Sequence, residues 1–115
     1  MSVQHPSLAA GRWRDMSLMG QLANIGSEVE RALNWLNKNN PEYSRLAFAR
    51  ALELLNLTIA DPRHRHRLKE MTRLRECLVD FFLGQNEFHS TEKSWRRYFY
   101  SFAYASAVEK RKAGS

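Results

Sequence analysis

A chain of 115 residues, 43% of them hydrophobic, suffices for one domain with its own core and is too apolar for a disordered protein. Its formal net charge of +6 and pI near 9.9 favour a polyanionic partner, nucleic acid first, and arginine, the better phosphate fork, outnumbers lysine. The single Cys77 excludes an internal disulfide, and neither a membrane span of roughly 20 apolar residues nor a signal-peptide core is present, so a soluble cytoplasmic protein is expected.

Residues 1–15 contain Pro6, Gly11 and small polar residues without sustained periodicity. They read as a flexible arm whose tip carries Arg12, Trp13 and Arg14, and Met16 reads as an alternative start. A helix is expected from Asp15 or Ser17 to about Asn37. Leu18, Leu22, Ile25, Val29, Ala32, Leu33 and Leu36 recur there at three- and four-residue steps and form one apolar stripe. Gly26 at the edge of that stripe permits a close helix approach, and Trp35 falls away from it, either at the rim of a contact or as a partly covered tryptophan.

Asn40, Pro41 and Glu42 supply a cap, a first helical residue and a complement to the helix dipole, so a second helix runs to about Ala60. Tyr43, Leu46, Phe48, Leu52, Leu55, Leu57 and Ile59 leave it apolar over most of its circumference, which predicts a central position. Asp61-Pro62 repeats the punctuation, and a third helix continues to about Leu83, where Gly84 stops it. Its buried side is Leu68, Met71, Leu74, Leu78, Val79, Phe81 and Phe82. Ser90 or Thr91 caps a fourth helix that reaches about Lys110, leaving 111–115 as a frayed basic tail. With no strand pattern and tight turns between the first three helices, the expected fold is all-α, an antiparallel up-down four-helix bundle over 16–110.

The basic residues make the first candidate site. Arg63, Arg65 and Arg67 crowd the first turns after Asp61-Pro62, where the helix dipole disfavours cations, which suggests a use in binding an external anion. Arg65, Lys69 and Arg73, four residues apart, share one outward strip of an α-helix. A phosphate-binding surface and a plainly solvated charged face both fit that strip. On the fourth helix Trp95, Tyr98, Phe99, Phe102, Ala103 and Ser106 read as core. Lys93, Arg97, Tyr100, Tyr104 and Arg111 fall on the opposite side. Tyrosines interleaved with cations suit base stacking with phosphate neutralisation, and equally a protein interface, which is slightly favoured.

Arg50 and Arg75 point toward apolar sectors, where an ion-pair network with Glu28, Glu53 or Asp80 is expected ahead of a cleft gripping an anion. His64 and His66, two apart, diverge by roughly 200° on a helix and do not share a metal. No phosphate loop, metalloprotease motif or nucleophile elbow occurs, so neither catalysis nor a cofactor is expected.

The stretches Met16-Ser-Leu-Met19, Gln21-Leu-Ala-Asn-Ile-Gly-Ser-Glu-Val29, Leu57-Thr-Ile-Ala-Asp-Pro-Arg63, Arg67-Leu-Lys-Glu70 and Trp95-Arg-Arg-Tyr-Phe-Tyr100 resemble a family of short uncharacterised bacterial helical proteins. That resemblance covers nearly everything after residue 15 and implies no activity. In architecture and charge the chain is also similar to the basic-bundle accessory proteins of diversity-generating reverse-transcriptase cassettes, which oligomerise and engage a polymerase and its RNA. A further likeness is to HEPN-type domains that accompany nucleotidyltransferases. The RNases among those carry Arg followed after four to six residues by His, and no arginine stands so before His64, His66 or His89.

The expected function is therefore a non-catalytic, oligomeric bundle binding RNA or DNA as accessory to a larger enzyme such as a reverse transcriptase or nucleotidyltransferase. Arg63, Arg65, Arg67, Lys69, Arg73 and Arg97 would meet phosphate; Tyr100, Tyr104 and Trp35 would stack or meet a partner. The alternative is a scaffold or antitoxin-like module that binds protein only.

Overall fold

The structure, a computed structural model, describes residues 6–114, with side chains from residue 11. Among the described residues every regular element is helical. The elements are α1 (Pro6–Asp15), α2 (Leu18–Asn37), α3 (Pro41–Ala60), a 3-10 segment (Pro62–Arg67), α4 (Leu68–Phe82) and α5 (Glu92–Ala113). Side-chain caps start the long helices. Ser17 Oγ accepts from Gly20 N, Asn40 Oδ1 from Tyr43 N, and Thr91 Oγ1 from Ser94 N, while Ser94 Oγ accepts in turn from Thr91 N. These satisfy amide groups that the first turn leaves without carbonyl partners.

The segment expected as an arm is, in its described part, a helix. Pro6–Asp15 forms α1, and Trp13 is buried. Sequence periodicity missed it because a single tryptophan anchors it. Trp13 Nε1 donates to Thr58 Oγ1 at 3.2 Å, Thr58 Oγ1 donates to Gln21 Oε1 at 3.0 Å, and Gln21 Nε2 donates to Trp13 O at 2.7 Å. The closed triangle joins α1, α2 and α3 and leaves none of its buried polar groups without a partner.

Consecutive long helices run antiparallel. Gln21 meets Thr58 and Ala32 O accepts from Ser44 Oγ between α2 and α3. Phe48 stacks on Phe82, and Arg75 Nε donates to Asn56 Oδ1, between α3 and α4. Phe81 meets Trp95 edge-on and Tyr98 Oη donates to Glu70 Oε2 between α4 and α5. Between α2 and α5 the contacts read Ser17–Glu109, Gly26–Phe99, Glu30–Arg96 and Asn37–Glu92 in opposite chain order.

The helix most completely buried along one side is α2, with Leu22, Ile25, Val29, Ala32 and Leu33 enclosed by α3 and α5. The expectation that α3 is central gives way in part. Ala47, Phe48, Ala51, Leu54 and Leu55 are buried, but Tyr43 and Leu46 are exposed, so its apolar excess lies on the surface. Leu36 and Leu68 are also exposed, and α5 continues to Ala113, into the segment read as a frayed tail.

The loop before α5 is held by side chains. Asp80 accepts from the amides of Glu87 and Phe88, and Asn86 exchanges two hydrogen bonds with Ser90. Asn86 and His89 take positive φ there. Asp80 is thus a loop clasp and pairs with neither Arg50 nor Arg75.

Replacing Thr58 by Val keeps shape and removes the hub of the buried triangle. It is expected to destabilise the fold by about 1–3 kcal/mol, since Gln21 and Trp13 keep buried polar atoms with no partner. Urea unfolding followed by circular dichroism measures it; an unchanged midpoint would contradict the role given to the triangle.

Candidate interaction surface

Two sequence-derived candidate surfaces fare differently. The strip Arg65, Lys69 and Arg73 requires one continuous α-helix, and the chain does not provide it. Pro62–Arg67 winds as a 3-10 segment, with His64 at φ −107°, ψ 19° and Arg67 at φ −117°, ψ 15°, and α4 begins only at Leu68. Starting α4 at Leu68 takes Arg63 and Arg65 out of the first α-helical turn, where the dipole disfavours cations, and places Glu70 there beside Lys69.

Most of these cations also have local partners. Arg63 forks onto Asp61, with Nη2 at 2.6 Å and Nε at 3.0 Å from Oδ2, and Nη2 also donates to Met16 O. Arg67 forks onto Glu70 Oε1 at 2.9 and 2.7 Å. Arg73 lies over the Phe88 ring at 4.6 Å. Only Arg65 and Lys69 of this group are exposed with no side-chain partner among the described residues. The Arg63 fork holds the Asp61 carboxyl far below the usual carboxylate range, chiefly through the side-chain hydrogen bond. Next to it His64 is buried, and burial lowers its pKa against the pull of Asp61, 3.5 Å away.

Arg50 ion-pairs with Glu28 at 3.7 Å, as expected for an inward arginine. Arg75 is exposed and bonds Asn56 instead. Trp35 packs edge-on against Tyr43 at 4.9 Å under Lys38, so it belongs to the α2–α3 turn and lies apart from Tyr100 and Tyr104.

The outward strip of α5 is formed as its spacing demands. Lys93, Arg97, Tyr100 and Tyr104 are exposed on an unbroken helix, the two tyrosines at 70% and 63%. Neither cation has a partner among the described residues. From Lys93 to Val108 α5 holds no acidic residue. The opposite side is buried through Trp95, Phe99, Phe102 and Ser106, while Ala103, expected in the core, is exposed.

Beside the strip lies a groove that sequence reasoning missed. It has a volume of about 460 Å³ and is walled by α2 and α5. Val29, Leu33, Trp95 and Phe99 form its apolar floor, and Tyr100 and Ala103 border it. It exists because α2 presents small residues there. Gly26 lets Phe99 come so close that a Cβ at residue 26 would lie 2.7 Å from Phe99 Cβ, and Ala23 and Ser27 flank that contact without filling the space. The three small residues at steps of three and four were the available signal. At one end Arg96 ties the walls together, its Nε bonded to both Glu30 oxygens at 3.1 and 2.8 Å and its Nη2 to Asn34. Trp95 Nε1 is buried without an acceptor.

The α4 cations and the α5 strip do not form one surface. Tyr98 faces α4, where Glu70 and burial push its phenol pKa up, burial first. Tyr100, two residues on and about 200° around the helix, faces the α2 groove. Among the described residues no cluster of three or more His, Cys, Asp and Glu stands ready for a metal ion, and no helix is long and apolar enough to cross a membrane. No protein-family model matches the chain, nor does any curated protein or solved structure.

Two measurements check this geometry. Gly26→Ala is expected to cost about 1–3 kcal/mol in urea unfolding, because Phe99 has to move. A variant as stable as the parent would show that the approach is looser than described. Asp61→Asn keeps the cap oxygen and removes the charge. Folded Asp61 binds its proton less tightly than the unfolded chain does, so its contribution is complete above the ordinary carboxylate range and is lost as pH falls through the lower folded value. The stability gap to the parent should widen slightly from about pH 7 to 5, as protonated His64 loses its carboxylate neighbour, then narrow below about pH 4. A gap that stays constant down to about pH 2 would contradict the Arg63 fork.

Proposed function

We propose that this protein is a non-catalytic interaction module, built as an up-down four-helix bundle, that docks a partner protein against the face made by α2 and α5. The observation that carries this reading is the open apolar groove between α2 and α5 bordered by the strongly exposed Tyr100, with Tyr104 exposed one turn further along the helix. Exposed tyrosine and arginine beside an apolar depression is the composition of a binding hot spot, whereas isolated surface aromatics need no explanation. The bundle supplies rigidity: each wall of the groove is anchored from behind by buried side chains, so a partner meets a preformed surface.

Nucleic-acid binding is the second reading, and the charge of +6 with exposed Arg65, Lys69 and Arg97 favours it. In that reading the module serves a polymerase or nucleotidyltransferase by holding its RNA or DNA, with subunits assembled into an oligomer. Its affinity for single-stranded RNA should fall steeply with salt, as phosphate neutralisation releases counterions. The partner-protein reading predicts little such loss.

Placing a photoreactive benzoylphenylalanine at Tyr100, Tyr104 or Lys69 in living cells tests the two. The docking reading expects a discrete protein adduct from positions 100 and 104 and none from 69. Adducts to nucleic acid, strongest from 69, would replace it with the second reading.

A further inference from the structure

Resting on the docking reading, we propose that the α2–α5 groove seats an acidic amphipathic helix of the partner protein, with its apolar face on Trp95 and Phe99 and its carboxylates against Lys93 and Arg97. The shape argues for a helix. The groove lining runs from Ala23 to Leu33 on α2 and from Trp95 to Ala103 on α5, about 12–15 Å of helix axis. That is the length over which one helix presents apolar residues at i, i+3 or i+4, and i+7.

Charge argues for acid. The carboxylate that lines this face, Glu30, is already engaged by Arg96, as is Glu92 at the start of α5. Lys93 and Arg97 are not, and α5 contributes no acidic residue between Glu92 and Glu109. Within the lining Glu30 and Arg96 offset each other, and the unpaired charge on the α5 flank beside the groove is positive. A second copy of this chain would bring the same cationic strip to the contact across a twofold axis, where like charges repel. A nucleic acid would match the cations and leave the apolar floor uncovered.

The test uses the full chain and calorimetric titration with three synthetic 16-residue peptides. One carries Leu at helical i, i+3, i+4, i+7 spacing with Glu on its flanks, the second replaces Glu by Lys, and the third scrambles the first. Binding of the acidic amphipathic peptide alone is expected. Arg97→Glu should weaken it about tenfold, and Ala103→Trp, which fills the groove from an exposed position, should abolish it. Ser27→Trp fills it from the other wall, should one variant unfold by circular dichroism. Equal binding of the Lys or scrambled peptide, or undiminished binding to both filled variants, overturns the inference. So does concentration-dependent dimerisation that Ala103→Trp removes, which would name a second copy as the occupant, and so does competition of RNA for the peptide site. If a protein adduct still forms at position 100 while no peptide binds, the acidic helix falls and the docking reading stands. If neither occurs, both fall.

Discussion

The contact of Phe99 with the bare backbone at Gly26 decides where α5 lies, and much of the outer surface follows from it. Two helices that touch backbone to ring at one crossing cannot also be in close contact a turn away unless larger side chains bridge the gap. On α2 the neighbours are Ala23 and Ser27, which do not, so the same small residues that permit the approach leave a depression on its outer flank. Arg96, spread over Glu30, Asn34 and Glu92, then fixes the splay by hydrogen bonds between the walls. The close contact at Gly26 and the open trough beside it on the α2–α5 seam are one arrangement.

The basic run from Arg63 to Arg67 shows how a suggestive sequence can be absorbed by local chemistry. Asp61 is cap, ion-pair partner and neighbour of a buried histidine together, and Glu70 takes Arg67 while serving the first turn of α4. Positive charge concentrated in sequence became, in space, short ion pairs between residues two or three apart. The cations that remain without local partners among the described residues, including Arg12, Arg14, Arg45, Arg65, Lys69, Lys93 and Arg97, are spread over α1, α3, the 3-10 segment, α4 and α5.

Capping and apolar spacing were legible at once. Ser17, Asn40, Asp61 and Thr91 begin elements as their side chains dictate, and Leu22 to Leu33 of the row that the three-four rhythm marks on α2 are buried, while Leu36 at its end is exposed. Three features escaped for identifiable reasons. The first helix, α1, rests on one buried tryptophan and has no periodic stripe of its own. The 3-10 segment has the composition of a helix start, and only the competition between dipole and cations tells the two apart. The groove is defined by what side chains lack, and small residues carry no hydrophobic signal. Sequence reading puts Ala103 in the core because alanine fits either side of a helix equally well, whereas the exposure of Lys93, Arg97, Tyr100 and Tyr104 follows from their shared helical spacing.

The buried triangle of Trp13, Thr58 and Gln21 makes the short first helix part of the protein's interior. A chain lacking α1 would keep every residue of the α2–α5 face yet lose the indole that fills the space over Thr58. Its interior would hold an amide and a hydroxyl facing a hollow that water must enter, so the outer face and the firmness of the body beneath it are separable properties.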